Sequence, residues 1–317
     1  MSAPVLVIGE ALVDIVGPAP RTPRNGNGNG KPSAVPGGFA ANVAVGLARL
    51  GVPTELVARF GTDAYGDMLG AHLFGNGVQL APGAVDPSFR TSTATATLDA
   101  AGVASYQFDM TWDPPALSLT RGCPAIHTGS IATMLEPGAT AIREFLKAVA
   151  GQPVTVTFDP NARPAITPDP VSTWAVVREL AEWSDLVKLS DEDCAFLQPG
   201  RTPDDIAAEL LTAERTKCVV ITLGGDGALG VTRDHRLEVP APAIEVVDTV
   251  GAGDSLMAAL IAGLQARGLL GATRLAGLTA GDLRAVVDYS VKAAAITCTR
   301  HGADPPTAAE HAAKWGS

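Results

Sequence analysis

A chain of 317 residues with 46 % hydrophobic and 18 % charged residues has enough apolar mass for a large core and is too apolar to be disordered. Its formal net charge of −10 argues against nucleic acid or an anionic membrane as the main partner, because an acidic surface repels both. An anionic small ligand would need a local positive field from backbone amides, a metal or a few basic side chains.

The N-terminal run MSAPVLVIGEALVDIV is apolar without a basic leader, and Glu10 and Asp14 interrupt it well short of a membrane span. It reads as the first strand, at 5–8, of a cytoplasmic protein. Val- and Ile-rich runs at 56–60, 125–127, 154–158, 186–188 and 218–222 read as further strands. Helical periodicity predicts helices at 40–50, 65–74, 140–150, 172–183, 203–213, 253–267 and 283–297. The alternation predicts a mostly parallel sheet covered by helices on both faces, with ligands at the carboxyl ends of the strands. Two stretches break this rhythm. Residues 21–36 (RTPRNGNGNGKPSAVP) lack any period and predict a mobile loop, while residues 91–110 alternate around a turn at 99–102 and predict a hairpin that projects as a lid. Cys123, Cys194, Cys218 and Cys298 lie far apart without C-x-x-C spacing, as expected of unpaired thiols in a reducing compartment. The five histidines have no ligand spacing either.

The stretch 248–264, DTVGAGDSLMAALIAGL, sets a glycine turn before an apolar helix. Gly251 and Gly253 admit a ligand to the backbone, and the amides of Ala252, Gly253 and Asp254 would point from the helix N-terminus at an anion. A lone aspartate in a first helical turn is more often a cap or a dipole partner than a catalyst. Beside a phosphate-binding turn it has a chemical use, which is to take a proton from a hydroxyl as that hydroxyl meets the phosphate. Ser255 as a nucleophile is the weaker reading, since no G-x-S-x-G context surrounds it. A nicotinamide enzyme would need a glycine fingerprint after the first strand, which Gly9-Glu10-Ala11 does not supply.

DTVGAGDSLMAALIAGL resembles the carboxyl-terminal signature of the PfkB, or ribokinase, family of carbohydrate kinases. GEALVDI at 9–15, PGGFAANVAVGLARLG at 36–51, FGTDAYGDMLG at 60–70 and HGADPP at 301–306 resemble the family's other motifs, in the family's order. The resemblance implies an α/β fold, a ribokinase-like three-layer α/β/α sandwich with a mostly parallel central sheet. It implies one kinase domain over 1–317, with a small β-sheet lid formed from about 12–36 and 91–110. It implies ATP-dependent phosphorylation of a sugar hydroxymethyl group, with Asp254 as base and Gly251, Ala252 and Gly253 as anion hole. Asp14, Gly37, Gly38 and Asn42 match positions that bind sugar hydroxyls. The residues' own chemistry agrees, since Asp14 reads as ending a strand and Asn42 as opening a helix, a carboxylate beside an amide. Phe108 and Tyr106 on the hairpin are lid candidates, and Trp112, which follows it, reads as packing that could also touch substrate.

TFDPNARP at 157–164 follows a strand, so Asp159, Asn161 and Arg163 should line the same crevice. It resembles the D-x-N-x-R run of the fructokinase and 2-keto-3-deoxygluconate kinase branch. Arg163 could grip a substrate oxygen or the triphosphate, or be a solvated loop arginine. In VKLSDEDCAFL at 187–197, Ser190 and Asp193 stand where the family often has an Asn-x-x-Glu that helps hold Mg²⁺ and its waters. Both can serve a hard cation through water, and a capping box is the compatible alternative. In ITLGGDGALG at 221–230, Thr222, Gly224, Gly225 and Gly227 match the segment beside the ATP phosphates and ribose. Asp248, Val250 and Ala295 match the neighbourhood of a monovalent cation site, for K⁺, and of the adenine. The DPNAR and SDED runs point to fructose as substrate and fructose 6-phosphate as product, with 2-keto-3-deoxygluconate kinase, ribokinase or nucleoside kinase as alternatives. A non-catalytic sugar- or nucleotide-binding protein would usually have lost the base or the glycine turn, and this chain keeps both. An open lid edge would admit a homodimer.

Overall fold

The computed structural model describes residues 3–16, 33–98, 104–271 and 274–316. The short apolar runs become strands of a nine-stranded sheet. β1 (Val5–Ile8) pairs in parallel with β4 (Thr54–Val57) on one side and β8 (Ala125–Gly129) on the other. β5 (Gln79–Leu80) continues the β4 edge, and β9 (Thr155–Asp159), β10 (Leu186–Ser190) and β11 (Cys218–Thr222) continue beyond β8, all in parallel. β12 (Ala228–Val231) and β13 (Arg236–Val239) then fold back antiparallel at the far edge.

Side chains of β1 show why helices cover both faces. Val5 and Val7 enter one apolar cluster, Leu6 and Ile8 the other, as the alternation of a doubly buried strand requires. α1 (Phe39–Arg49), α2 (Ala64–Gly75), α7 (Ala252–Ala266) and α8 (Ala280–Cys298) build the first cluster. α3 (Gly138–Val149), α4 (Pro170–Ala181), α5 (Asp191–Leu197) and α6 (Pro203–Leu210) build the second. α7 is buried without interruption from Ser255 to Leu264 and packs against α1 and α8, so its N-terminus is fixed by the core. α9 (Ala308–Trp315) closes the chain, with His311 Nε2 3.0 Å from the Tyr289 carbonyl.

A second sheet of four strands joins two distant parts of the chain, in the order β3-β2-β6-β7. β2 (Leu12–Val16) and β3 (Ser33–Gly37) are antiparallel, as are β6 (Thr93–Leu98) and β7 (Ala104–Asp109), while the central β2–β6 pair is parallel. The expected hairpin strands are therefore present; their turn at 99–102 lies outside the described residues. Two expectations are corrected. Residues 33–36 are strand rather than loop, because an edge strand tolerates Pro36 and its weak alternation gives no period to read. The rest of that loop, with the Asn-Gly tract 25–30, lies outside the described residues. Asp14 stands in the middle of β2 and does not end the first strand, since the chain leaves the large sheet after Ile8.

Candidate active site

Asn42 Nδ2 donates to Asp254 Oδ2 at 2.8 Å, joining the first turn of α1 to the first turn of α7 across 212 residues of sequence. The turn before α1 is shaped by Gly38, which has φ 100 and whose carbonyl accepts the Asn42 N–H at 2.9 Å. A Cβ on Gly38 would stand 2.7 Å from the Glu10 carbonyl oxygen. A Cβ on the preceding Gly37 would overlap Asp14 Oδ2. Asp14, Gly37, Gly38, Asn42 and Asp254 are thus brought together as the sequence implied.

Gly251 caps α7 in the left-handed conformation, φ 74, and a Cβ there would come within 2.5 Å of Ala303 Cβ. No side chain caps this helix end. The expected three-amide anion hole is corrected to two, because the Ala252 N–H bends back to the Thr249 carbonyl at 3.2 Å. The amides of Gly253 and Asp254 have no acceptor among the described residues and remain at the positive end of the helix. Beneath them lies Lys188, whose Nζ is 3.2 Å from where a Cβ on Gly253 would stand. Lys188 is 4 % exposed and donates to Asp159 Oδ2 at 2.9 Å. Asp159 itself is 1 % exposed, so it lies under the crevice and does not line it, contrary to expectation.

The chain beyond β9 is held tightly. Asn161 has φ 36, its N–H donates to Asp159 Oδ1 at 3.0 Å, and its Nδ2 donates to Ser130 Oγ at 3.4 Å. The Ala162 N–H donates to Asp193 Oδ1 at 2.8 Å, and Asp193 Oδ2 accepts from the Ser190 N–H at 2.9 Å and the Ser190 hydroxyl at 2.8 Å. The capping box is present. With both Asp193 oxygens engaged, only their remaining lone pairs could serve a cation, and through water. Among the described residues, no three His, Cys, Asp or Glu side chains converge as a metal cage. Arg163 is exposed, and among the described residues its side chain donates only to the Ala162 carbonyl, at 3.3 Å.

At the other end of the crevice, Thr222 ends β11 with its hydroxyl 3.4 Å from the Leu189 carbonyl, and Gly224 to Asp226 form a short 3-10 turn. Gly224 and Gly225 face open space, whereas Gly227 packs against the Val239 carbonyl. Asp248 accepts the Val250 N–H at 3.0 Å and the Gly302 N–H at 2.8 Å, tying these two loops together; Val250 is 53 % exposed. Ala295 is buried within α8 and offers a ligand little surface. Phe108 is half-buried on β7 opposite Ala94. The Tyr106 side chain lies outside the described residues. Trp112 is buried against Gly138 and belongs to the core, which removes it from the substrate-contact candidates.

The pfkB family carbohydrate kinase profile matches residues 2–310. The chain belongs to the pfkB family of carbohydrate kinases. The kinase is 35 % identical over 289 residues to a fructokinase of Rhizobium leguminosarum bv. trifolii, an alignment covering 88 % of this chain and 85 % of that one. A fructokinase from Xylella fastidiosa with bound ATP shares its fold with a TM-score of 0.83, at 24 % identity, covering 98 % of this chain and 97 % of the other. A fructokinase double mutant from Vibrio cholerae O395, solved with fructose, ADP and potassium ion, has a TM-score of 0.76 at 25 % identity, covering 95 % and 94 %. The ribokinase-like α/β fold and the family expected from the motifs are both found.

The kinase concentrates acid groups around Asp254. Burial pushes the Asp254 carboxyl up, opposed by the Asn42 hydrogen bond and by the charges of Arg163 and Lys188. Burial and the Asp254 charge raise Asp14 to about 6. Burial opposes charge on Lys188, but Asp159, Asp193 and Asp254 outweigh it and hold its ammonium above the ordinary range. Glu10, Ser130 and Lys188 are site residues that the motifs did not single out. A lysine inside the apolar run LVKLS is a signal in itself, because a strand buried on both faces admits an ammonium only with an acid partner.

Proposed function

We propose that this kinase transfers the γ-phosphoryl group of ATP to the hydroxymethyl oxygen of fructose, giving fructose 6-phosphate and ADP. The Asn42–Asp254 hydrogen bond carries this reading, because it fixes a carboxylate beside two free amides at the N-terminus of a buried helix. Asp254 takes the hydroxyl proton, the oxygen forms a bond to the γ-phosphorus, and the bond from that phosphorus to the β–γ bridging oxygen breaks to leave ADP. The Gly253 and Asp254 amides and the nearby Lys188 charge stabilise the transferring group. Mg²⁺ bound with the triphosphate supplies further charge neutralisation, and Ser190 and Asp193 would hold it through water. Asp14, Gly37, Gly38, Asn42 and Asn161 form the sugar side, and the small sheet with Phe108 acts as a lid over the single domain, excluding water. Thr222, Gly224, Gly225, Gly227 and Ala295 form the nucleotide side.

The relatives support these assignments: a fructokinase at 35 % identity, and a Vibrio fructokinase structure containing fructose, ADP and potassium. A potassium ion beside Asp248 and Val250 belongs to the same reading, as does a homodimer built on the open β3 edge. The four cysteines are free, as expected of the reducing cytoplasmic setting we propose; no helix among the described residues is long and apolar enough to cross a membrane. A second reading, 2-keto-3-deoxygluconate as substrate, draws on the exposed guanidinium of Arg163, which could fork onto a carboxylate.

ADP release across fructose, 2-keto-3-deoxygluconate, ribose and a nucleoside, with and without Mg²⁺, tests the proposal. We expect kcat/KM for fructose to exceed each rival at least about tenfold, the ratio that about 1.4 kcal/mol of transition-state discrimination gives. A sugar acid preferred over fructose would reassign the substrate. Gly37→Ala should displace the Asp14 carboxylate and raise the fructose KM about tenfold, as loss of a charged hydrogen bond implies, with a smaller change in kcat. An unchanged KM in initial-rate measurements would remove Asp14 from the sugar site.

A further inference from the structure

One arginine outside the reaction grips both legs of the β6–β7 ribbon. Arg59 follows β4 at the carboxyl end of the large sheet, and its side chain is 23 % exposed. Its Nε and Nη2 donate to Asp86 Oδ2 at 3.1 and 2.5 Å, and its guanidinium carbon lies 5.0 Å from the centre of the Phe89 ring. Asp86 and Phe89 belong to the leg that runs into β6. Its Nη1 donates to the Asp113 carbonyl at 3.0 Å and to Asp113 Oδ2 at 2.7 Å, and Asp113 belongs to the leg that leaves β7. A planar fork can hold two legs at a fixed spacing, which a single ammonium could not.

The incoming leg is seated on the same loop of the large sheet. The Phe60 N–H donates to the Ala84 carbonyl at 2.9 Å and the Asp86 N–H to the Phe60 carbonyl at 3.0 Å, prolonging the β4–β5 edge. Thr91 Oγ1 accepts the Gly61 N–H at 3.1 Å, and the Thr91 N–H donates to Asp63 Oδ2 at 2.9 Å, while Asp63 Oδ1 caps α2. A Cβ on Gly61 would fall 2.2 Å from the Phe89 carbonyl oxygen, so the two chains are in close contact. Just beyond, the Ser92 carbonyl accepts the Val13 N–H at 3.0 Å and opens the seam in which Asp14 lies opposite Ala94, itself opposite Phe108. The placement of this root therefore carries through to the sugar carboxylate and the lid aromatic.

We propose that Arg59 is a positioning residue for the sugar side of the site, acting through the ribbon whose two legs it joins to the large sheet. Without its grip the ribbon sits less closely over the sugar, the sugar leaves more readily, and water reaches the phosphoryl group. This rests on the reading of the small sheet as a lid over a sugar site. Asn42, Asp254 and the free amides of α7 stand on other elements and keep their places, so the chemical step changes less than sugar retention.

The test is kcat and KM for the sugar that the wild type prefers in the panel above, the KM for ATP, and the ratio of ADP released to sugar phosphate formed. These are measured in the wild type, Arg59→Met, Arg59→Lys, Asp113→Ala and Phe108→Ala, with thermal unfolding to confirm folding. Arg59→Met should raise the sugar KM about fivefold, the size expected of a partly exposed ion-pair network, with kcat and the ATP KM within about twofold. The ratio should rise above unity as water replaces the sugar hydroxyl in attacking the γ-phosphorus, giving ADP and inorganic phosphate. A purely structural role would lower the unfolding temperature and leave the sugar KM and the ratio unmoved, and that result in a folded Arg59→Met protein overturns the proposal. Arg59→Lys keeps the charge without the fork, so its sugar KM should stay near that of Arg59→Met; full recovery to the wild-type value would overturn the joining of two legs as the cause. If Arg59→Met does not fold, an unmoved sugar KM in Asp113→Ala overturns the proposal instead. Phe108→Ala separates the two ideas: an unchanged sugar KM and ratio there sink the lid reading itself, whereas a raised KM there beside an unmoved Arg59→Met sinks only the role of Arg59.

Discussion

Replacing Asp254 with Asn lowers turnover by roughly 10²–10⁴ while ATP affinity changes little, if the carboxylate is the base. The substitution keeps size and hydrogen-bonding shape, so the Asn42 contact has a successor and α7 keeps its buried length. What it removes is a group that can accept a proton. The two free amides at the helix end and the Lys188 charge stay in place, and these are the features through which the site meets phosphate. Rapid-quench turnover together with equilibrium ATP binding measures both quantities. Turnover within a few-fold of wild type would show that another group, or solvent, takes the proton.

The second large effect concerns stability. Lys188→Met should destabilise the fold by about 3–5 kcal/mol, because it strands the Asp159 carboxylate in a site where both partners are almost wholly buried. Methionine fills the volume of the lysine stem, so the loss reports the uncompensated charge more than a cavity. The double variant Asp159→Asn/Lys188→Met should recover most of this, since it leaves no buried charge behind. Urea unfolding at neutral pH reads both. A single-variant cost below about 1 kcal/mol would mean that water reaches the pair, as for exposed salt bridges.

The large sheet was legible because its parallel strands are short, mostly apolar runs and its helices carry long periods. Of the six strand runs read from the sequence, all contribute to the sheet, while β5, β12 and β13 went unread: Gln79–Leu80 is two residues long, and Ala228–Val231 carries a glycine that weakens its pattern. The sugar turn and Asp254 were legible through motifs spaced along the chain. Lys188 signalled only that a buried acid partner must exist, and which acid could not be read because Asp159 comes from another strand; Glu10, just beyond an apolar strand, gave no such signal. The Ala252 amide was misread for a related reason. Whether a helix-end donor is free depends on the turn before it, here the Thr249 carbonyl, and sequence does not show that turn.

The small sheet has a consequence for the order in which the molecule assembles. Its central seam aligns Val13 to Val16 with Thr93 to Ala96, segments separated by the whole of α1, β4 and α2. Closing so long a loop costs entropy that only later contacts return. The seam therefore waits until β1 and β4 have paired and brought its two halves side by side. Each half is a two-stranded ribbon, and such ribbons are marginal alone. During synthesis, both ribbons emerge before β8 to β13 and the helices that cover them, so the strands of the pocket's mouth exist before most of the core that must hold them in place.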